Sequence, residues 1–159
     1  MTQVRTGIGY DAHPFAPDRR LVLGGVDIPH QRGLAGHSDA DVLTHAVIDA
    51  LLGAAALGDI GLHFPDDDPA YAGADSLELL RRTAAMVADA GFDVANVDAT
   101  VLLERPRLAE HRDAMRANLA AALGVDVARV NVKATRGEGM GFVGREEGAA
   151  ALAVVTLAG

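Results

Sequence analysis

The chain has 159 residues, half of them apolar, a formal net charge of −8 and no cysteine; these values predict one domain, residues 1–159, and exclude a disordered or fibrous chain. The negative charge argues against binding to nucleic acid, and because neither a membrane-spanning apolar run nor a signal peptide is found, we expect a cytoplasmic protein without a membrane partner. Since disulfides and thiolate ligands are excluded, any metal must be held by His, Asp or Glu.

The N-terminal part of the chain predicts a strand and a hairpin. Residues 5–10 have the pattern of a short strand. Two apolar segments, 21–23 and 26–28, flank Gly24 and Gly25, a dipeptide that is typical of tight turns.

The clearest helix is predicted over residues 39–57, with a glycine directly after it. Ser38 is suited to the N-cap, and Asp41 follows three residues later as in a capping box. Apolar residues recur at helical spacing on one side, whereas Asp41, His45 and Asp49 lie on the other side. A functional site could lie along that polar stripe.

The rest of the chain alternates helices and strands. A polar loop, 59–74, is followed by a helix over 76–90, capped by Asp75, and by a helix over 107–123. Strands are predicted at 94–103, 130–135 and 149–157. This order predicts an α+β fold in which a mixed sheet forms one layered domain with helices packed on one face.

Asp11 and His13 form the first candidate site. Residues two apart on an extended chain point the same way, so the carboxylate and the imidazole could bind one ion. His45 could supply a third ligand from the polar side of the helix, and three N/O ligands with an open fourth position are typical of catalytic zinc. A turn before Pro14, with the two histidines unrelated, is the alternative.

Two polar segments around the predicted helix could bind a nucleotide. The run 37–41, His-Ser-Asp-Ala-Asp, lies at a helix start, where free backbone N–H groups favour phosphate; helix capping alone would also explain it. Farther on, Asp59 beside the Gly61 amide could bind two ribose hydroxyls, and a mobile loop at 64–69 could cover a site. A solvated acidic loop is the alternative there.

The segment 133–139 could bind a diphosphate. It offers the side chains of Lys133, Thr135 and Arg136 together with exposed glycine amides. Glu138 could hold Mg²⁺ between two phosphates. The alternative is a glycine-rich turn in solvent.

Glycine spacing does not indicate a dinucleotide-binding fold. The fingerprint requires a helix directly after the glycines. Pro14 interrupts the candidate that begins at Gly7-Ile8-Gly9, and a predicted strand follows the candidate that ends at Gly144.

Several long motifs follow one another from Arg5 onward. They are Gly-Tyr-Asp-Ala-His at 9–13, Leu-Gly-Gly-Val-Asp-Ile-Pro at 23–29, His-Ser-Asp-Ala-Asp-Val at 37–42, His45, the run 49–61, Phe-Pro-Asp at 64–66, and the segments 131–135 and 141–148. In this combination the chain resembles the methylerythritol cyclodiphosphate synthase family, zinc-dependent enzymes of the non-mevalonate isoprenoid pathway.

The resemblance implies a specific reaction and assembly. The family converts 4-diphosphocytidyl-2-C-methyl-D-erythritol 2-phosphate into a cyclic diphosphate and releases CMP. The substrate's 2-phosphate attacks the β-phosphorus, so that positioning and cations are the main contributions left to the protein. The resemblance also implies a homotrimer with sites between the subunits.

The resemblance further implies residue roles. Asp11, His13 and His45 would hold one Zn²⁺ per subunit, and Glu138 would hold Mg²⁺ or Mn²⁺ together with the substrate phosphates. The implied catalytic residues are His37, Asp66 and Thr135. The implied substrate-binding residues are Ser38, Asp59, Gly61, Pro106, Lys133, Ala134, Thr135, Arg136, Phe142 and Arg145, with Asp59 and Gly61 on the ribose and the segment 103–108 on the cytosine.

The chain departs from the family pattern at two places. Arg136 and Gly137 stand where relatives often carry residues with hydroxyl groups. We therefore expect the contacts with the diphosphate to shift towards the guanidinium of Arg136. Glu146 replaces a glycine that is usual after Arg145, near the family's trimer axis, where an isoprenoid diphosphate can bind. Because a carboxylate repels that anion, we expect weak or no binding of it here.

Two other functions are compatible with the residues. A metal-dependent nucleotide pyrophosphatase would use a metal-bound water and give a linear product. A trimeric nucleotide-binding sensor without catalysis would need the glycine-rich loops but not the convergence of Asp11, His13 and His45.

Overall fold

Seven strands are present in the computed structural model, which describes residues 2–159. They are β1 (Val4–Ala16), β2 (Leu21–Leu23), β3 (Val26–Ile28), β4 (Gly33–Leu34), β5 (Asp93–Leu102), β6 (Val130–Thr135) and β7 (Gly148–Ala158). Five of them form one sheet in the order β4-β1-β7-β5-β6, while β2 and β3 form a separate hairpin. The pair β5 and β6 is parallel and the other neighbours in the sheet are antiparallel. The sheet is therefore mixed, as predicted.

The helices cover one face of this sheet. They are α1 (Val42–Ala54), α2 (Ile60–His63), α3 (Ser76–Asp89), α4 (Arg112–Leu123) and α5 (Gly141–Gly144), with 3₁₀ turns at Pro69–Tyr71, Ala109–His111 and Val127–Arg129. Helix α1 lies on β1, β7 and β5, and α3 packs against α1 and α4. Because α1 is covered on both sides, nearly all of its residues are buried, including His45. The predicted α+β class is confirmed.

Two glycines allow α1 to approach β1 closely. A Cβ atom on Gly9 would lie 1.9 Å from the carbonyl oxygen of Ala46, and one on Gly7 would lie 2.1 Å from that of Ala50. Any side chain at either position would push the helix away from the strand. The Gly-Ile-Gly run therefore serves helix–strand packing, which brings the first turns of α1 against the middle of β1.

The opposite face of the sheet is exposed, and the part of it formed by β1 and β7 is apolar. Residues of β1 and β7 alternate between the two faces, as expected for strands. Ala151, Ala153 and Val155 point towards the helices and are buried. Ile8, Tyr10, Leu152 and Val154 are large apolar residues that remain exposed in the single chain.

Local sequence signals gave several elements their correct bounds. The β2–β3 hairpin and β6 have the predicted residues, and α3 begins after Asp75, whose side chain accepts a hydrogen bond from the Leu77 amide. Gly91 and Gly124 have positive φ angles and end α3 and α4. Within residues 2–159, no helix is long and apolar enough to cross a membrane.

Other predicted bounds were wrong. The first strand continues through Pro14 to Ala16 instead of ending at residue 10. Helix α1 begins at Val42, because Ala40 has φ +57° and Asp41 is extended, so that Asp41 itself is the N-cap instead of Ser38. Helix α4 begins at Arg112, after a 3₁₀ turn, and not at residue 107. The predicted loop 59–74 contains α2 and a 3₁₀ turn.

Candidate metal centre and surrounding cavity

Strand β1 and helix α1 bring three possible metal ligands together. Asp11 and His13 are on the same side of β1 as Gly7 and Gly9, which is the side that faces α1. The Oδ2 atom of Asp11 lies 3.1 Å from Nε2 of His13 and 3.1 Å from Nδ1 of His45. One ligand atom from each residue lies within 4.8 Å of the others.

This geometry fits a tetrahedral divalent metal. Metal–ligand bonds of about 2.0–2.1 Å at tetrahedral angles separate neighbouring ligand atoms by about 3.3 Å. The two separations of 3.1 Å are close to that value. Three ligands from the chain leave one position open, which is the arrangement of catalytic zinc sites.

Hydrogen bonds to the outer ring nitrogens favour the tautomers that a metal requires. Nδ1 of His13 lies 2.9 Å from the carbonyl oxygen of Ala35, which can only accept, so this nitrogen carries the proton and Nε2 is free. Nε2 of His45 lies 2.7 Å from Oγ of Ser76. When the ring of His13 is neutral, the nitrogen that faces Asp11 is therefore the one that can bind a metal. Sequence reasoning identified Ser76 only as the first residue of a helix.

The contacts within the cluster shift the pKa values of Asp11 and His13. Burial by itself raises the pKa of Asp11, but the hydrogen bonds and positive charges of His13 and His45 outweigh it, so the pKa lies below its ordinary value. The hydrogen bond with Asp11 raises the pKa of His13, although burial opposes this shift. Because a metal binds the neutral imidazole, metal binding competes with protonation of His13.

The three residues lie at the wall of a cavity of about 470 Å³. Four other residues that the sequence singled out line the same cavity: His37, Ser38, Gly61 and Asp66. Ile60 and Phe64, from segments that the sequence also singled out, line it as well. Sequence reasoning missed Gly36, Tyr71 and Leu79, because no local pattern marks them as site residues. The cavity thus has a polar end, with the metal ligands, and an apolar wall.

The segment after α2 is tied to the cavity by His37. Its Nε2 donates to the carbonyl oxygen of Asp68 at 2.8 Å, and its own carbonyl oxygen accepts from the amide of Gly73 at 2.8 Å. These bonds hold the segment over one side of the cavity. Asp59 caps α2 through a 3.0 Å bond from the Leu62 amide and lies beside the cavity lining.

A second group of predicted residues lies elsewhere on the chain. Pro106, Ala134, Thr135 and Arg136 line a separate cavity of about 200 Å³ at the ends of β5 and β6. The carboxylate of Glu104, also in this lining, accepts from the Gly137 amide at 2.8 Å and fixes the start of the glycine-rich turn.

The remaining predicted residues are on other surfaces. Lys133 is in β6, and its Nζ lies 2.8 Å from Oδ2 of Asp98 on the exposed face of the sheet. Phe142 lines a third cavity together with Tyr10, and Arg145 pairs with Glu147 at 2.8 Å. Glu138 is exposed in the turn after β6, with φ +53°. A single chain therefore does not bring all of the predicted site residues into one cavity.

Comparison with known proteins identifies related sequences and folds. The model of the YgbB family matches residues 4–158. The 2-C-methyl-D-erythritol 2,4-cyclodiphosphate synthase of Cupriavidus metallidurans is 60% identical over 154 residues, which cover 97% of this chain and 92% of that protein.

Two solved structures have the same fold. A bifunctional IspDF protein from Campylobacter jejuni is 45% identical, with a TM-score of 0.95; the match covers 99% of this chain but only 42% of that protein. A Plasmodium falciparum IspF in complex with CDP is 29% identical, with a TM-score of 0.85 and coverage of 97% of this chain and 95% of that one.

Proposed function

The chain belongs to the YgbB family, and we propose that it converts 4-diphosphocytidyl-2-C-methyl-D-erythritol 2-phosphate into 2-C-methyl-D-erythritol 2,4-cyclodiphosphate and CMP. It is an enzyme of the phosphorus–oxygen lyase class, like the synthase relative that is 60% identical. The observation that carries the proposal is the convergence of Asp11, His13 and His45 on one wall of a substrate-sized cavity.

The reaction needs no nucleophile from the protein. An oxygen of the substrate's 2-phosphate forms a bond to the β-phosphorus. The bond from that phosphorus to the oxygen bridging the α-phosphate breaks, and the α-phosphate leaves as part of CMP. Because negative charge is spread over the phosphoryl oxygens, catalysis depends on positioning and on positive charge.

Asp11, His13 and His45 are the residues that would hold Zn²⁺, one ion per subunit. When bound, the ion supplies Lewis-acid stabilisation of negative charge on the β-phosphate. The chain's part is to keep the three ligand atoms at coordinating distances and to hold the outer nitrogens of the two rings by hydrogen bonds, so that the facing nitrogens are directed at the ion. Glu138 would hold Mg²⁺ or Mn²⁺ with the substrate phosphates, because Mg²⁺ takes one or two carboxylates and substrate oxygens as ligands.

The residues of the larger cavity would hold the sugar part of the substrate. His37, Ser38 and Asp66 lie around the space next to the ligand cluster, where the methylerythritol and its phosphates would bind. The bond from His37 to the Asp68 carbonyl keeps the covering segment in place. Asp59 and the Gly61 amide, at the other side, would bind the ribose hydroxyls.

The cytosine and the diphosphate would be held by the separate cavity of a neighbouring subunit. Pro106 and the segment 134–136 line that cavity, next to Arg107 and Arg112, whose charge suits phosphate. Lys133, Phe142 and Arg145 complete the proposed binding set. The CDP that the Plasmodium falciparum relative binds is consistent with a cytidine nucleotide here.

The assembly we propose is a homotrimer with the sites at its subunit interfaces. Large apolar residues on the outer face of β1 and β7, among them Ile8 at 70% exposure, need a cover. A partner on this face would also bring the two sets of substrate-binding residues together. That the assembly has three subunits rests on the family resemblance. The proposed cytoplasmic location rests on the substrate, which is a metabolite.

Phosphorus NMR of the purified chain with the cytidyl diphosphate substrate and Mg²⁺ tests the proposal. Paired diphosphate signals of a cyclic product, with one CMP for each product molecule, are expected. CMP with a linear bisphosphate would instead indicate the pyrophosphatase, and zinc-containing protein without turnover would indicate a binding module.

Two histidine variants test the metal site directly. His45→Ala should lose both bound zinc and turnover. His111→Gln, on the 3₁₀ turn before α4, should keep its zinc content. Equal zinc in the two variants would contradict the assignment of His45.

A further inference from the structure

The outer nitrogen of His45 is connected to a carboxylate through a buried hydroxyl. Nε2 of His45 lies 2.7 Å from Oγ of Ser76, which is fully buried at the start of α3. The same hydroxyl is hydrogen-bonded to Oδ1 of Asp39, and the backbone amide of Ser76 donates to Oδ2 of Asp39 at 2.9 Å. Both oxygens of Asp39 are therefore directed at Ser76.

The chemistry of these groups fixes the direction of each bond. An ionised carboxylate only accepts hydrogen bonds, so the Ser76 hydroxyl donates its single proton to Asp39. The lone pairs of that hydroxyl are then left to accept a proton from Nε2 of His45. The neutral ring consequently carries its proton on Nε2, and Nδ1 faces Oδ2 of Asp11 at 3.1 Å with a free lone pair.

We propose that Ser76 and Asp39 are positioning residues that prepare His45 to bind the metal. The relay Asp39–Ser76–His45 sets the tautomer and the orientation of the ring, and the negative charge of Asp39, 4.0 Å from Nε2, strengthens Nδ1 as a donor to a cation. This inference rests on the metal site of the proposed function. It assigns to the first residue of α3 a role that helix formation does not require.

A second hydroxyl near the ring does not replace this relay. Oγ of Ser38 is 3.2 Å from Nε2 of His45, a longer contact than that of Ser76, and it accepts a bond from the Ala40 amide. Its proton has no carboxylate contact comparable to that of Ser76 with Asp39. Ser38 is therefore a secondary partner of the ring.

Attachment of α3 is the competing explanation for the contacts of Asp39 and Ser76. Asp39 also accepts from the Asp41 amide at 3.2 Å, so the pair could simply join two segments of the fold. The neighbouring residue Asp75 offers a matched control for this possibility. Its exposed side chain caps the same helix through the Leu77 amide, with a bond of 3.0 Å, and does not contact His45.

The test compares zinc affinity and cobalt spectra of the full chain with those of three variants. Zinc dissociation constants are measured by competition with a chromogenic chelator, and Co²⁺ absorption reports the ligand geometry. Ser76→Ala and Asp39→Asn should each weaken zinc binding by about 10–100-fold and change the Co²⁺ bands. Asp75→Ala should lower the melting temperature but change zinc affinity by no more than about twofold, as expected for a change outside the outer shell of the metal.

The outcomes separate the relay from the metal site itself. If the unaltered chain binds no zinc, the metal site fails and the relay with it. If it binds zinc and neither Ser76→Ala nor Asp39→Asn weakens binding, the relay is wrong and the metal site stands. An equal loss of affinity in Asp75→Ala would mean that helix attachment, and not the relay, controls the site. Should Ser76→Ala not fold, Asp39→Asn, which keeps the shape of the side chain, decides the question.

Discussion

The buried carboxylate of Asp41 joins the start of α1 to the turn of the β2–β3 hairpin, and we predict that Asp41→Ala destabilises the chain strongly. Oδ1 accepts from the amides of Gly24 and Thr44 at 2.9 and 3.0 Å. Oδ2 accepts from the Gly25 amide and from the Thr44 hydroxyl, both at 2.8 Å. Because Asp41 is fully buried, water cannot easily replace these bonds in the variant.

The size of the effect follows from the groups left without a partner. Loss of an N-cap costs about 1 kcal/mol. The amides of Gly24 and Gly25 add about 1–2 kcal/mol each as unsatisfied donors. Burial raises the pKa of Asp41, so removal of the carboxylate also relieves a desolvation cost and offsets part of the loss. The expected loss in the free energy of unfolding is about 3–4 kcal/mol, or about 6–16 °C in Tm for a chain of this size.

Urea unfolding of the metal-free chain measures this loss. Asp75→Ala is the matched control, because it removes an exposed cap from α3 and should cost only about 1 kcal/mol. Asp41→Asn keeps one acceptor oxygen and should give an intermediate value. If Asp41→Ala is no less stable than Asp75→Ala, the carboxylate does not hold the hairpin turn to the helix.

Three further predictions concern the metal cluster and the segment after α5. The hydrogen bond with Asp11 raises the pKa of His13. The interaction of the two residues therefore stabilises the metal-free chain fully below about pH 6.5, which is the ordinary pKa of histidine. This stabilisation is lost as the pH rises through the raised pKa of His13. The gain in Tm on adding zinc should therefore increase between about pH 5.5 and pH 7.5, and a gain independent of pH would contradict this. Glu146 has φ +58°, so Glu146→Gly should raise the free energy of unfolding by about 0.5–1 kcal/mol in urea titrations; a loss of stability would mean that its side chain has a structural partner. Calorimetry with an isoprenoid diphosphate should show weak or no binding, because Arg145 is paired with Glu147 and Glu146 adds negative charge; micromolar affinity would contradict this expectation.

Signals that depend on neighbouring residues in the chain were sufficient for much of the fold. The dipeptide Gly24-Gly25 has positive φ angles at the hairpin turn, where it was expected. Asp75 and Gly91 were sufficient to predict where α3 begins and ends, because helix capping and a left-handed backbone conformation each depend on a single residue. The bounds of β6 were likewise predicted without knowledge of its partner strands.

The predictions that failed depended on contacts between distant segments. Ser38 and Asp41 have the spacing of a capping box, but the carboxylate of Asp41 is also required by the hairpin turn, and the helix begins one residue after it. The distribution of the site residues over separate cavities could not be predicted from spacing, because it depends on which ends of β1, β5 and β6 lie together. The role of Ser76 has no local signal at all.

The segment 37–41 explains why a motif can be informative even when its local interpretation is wrong. Four of its five side chains contact different parts of the molecule: His37 the segment after α2, Ser38 the ring of His45, Asp39 the start of α3, and Asp41 the hairpin turn. A helix cap requires only one of these four. Of the other three, His37 holds the segment beside the cavity, whereas Ser38 contacts the ring of His45 and Asp39 is joined to that ring through Ser76. A change at Asp39 should therefore alter the metal cluster, although Asp39 does not itself touch the ion.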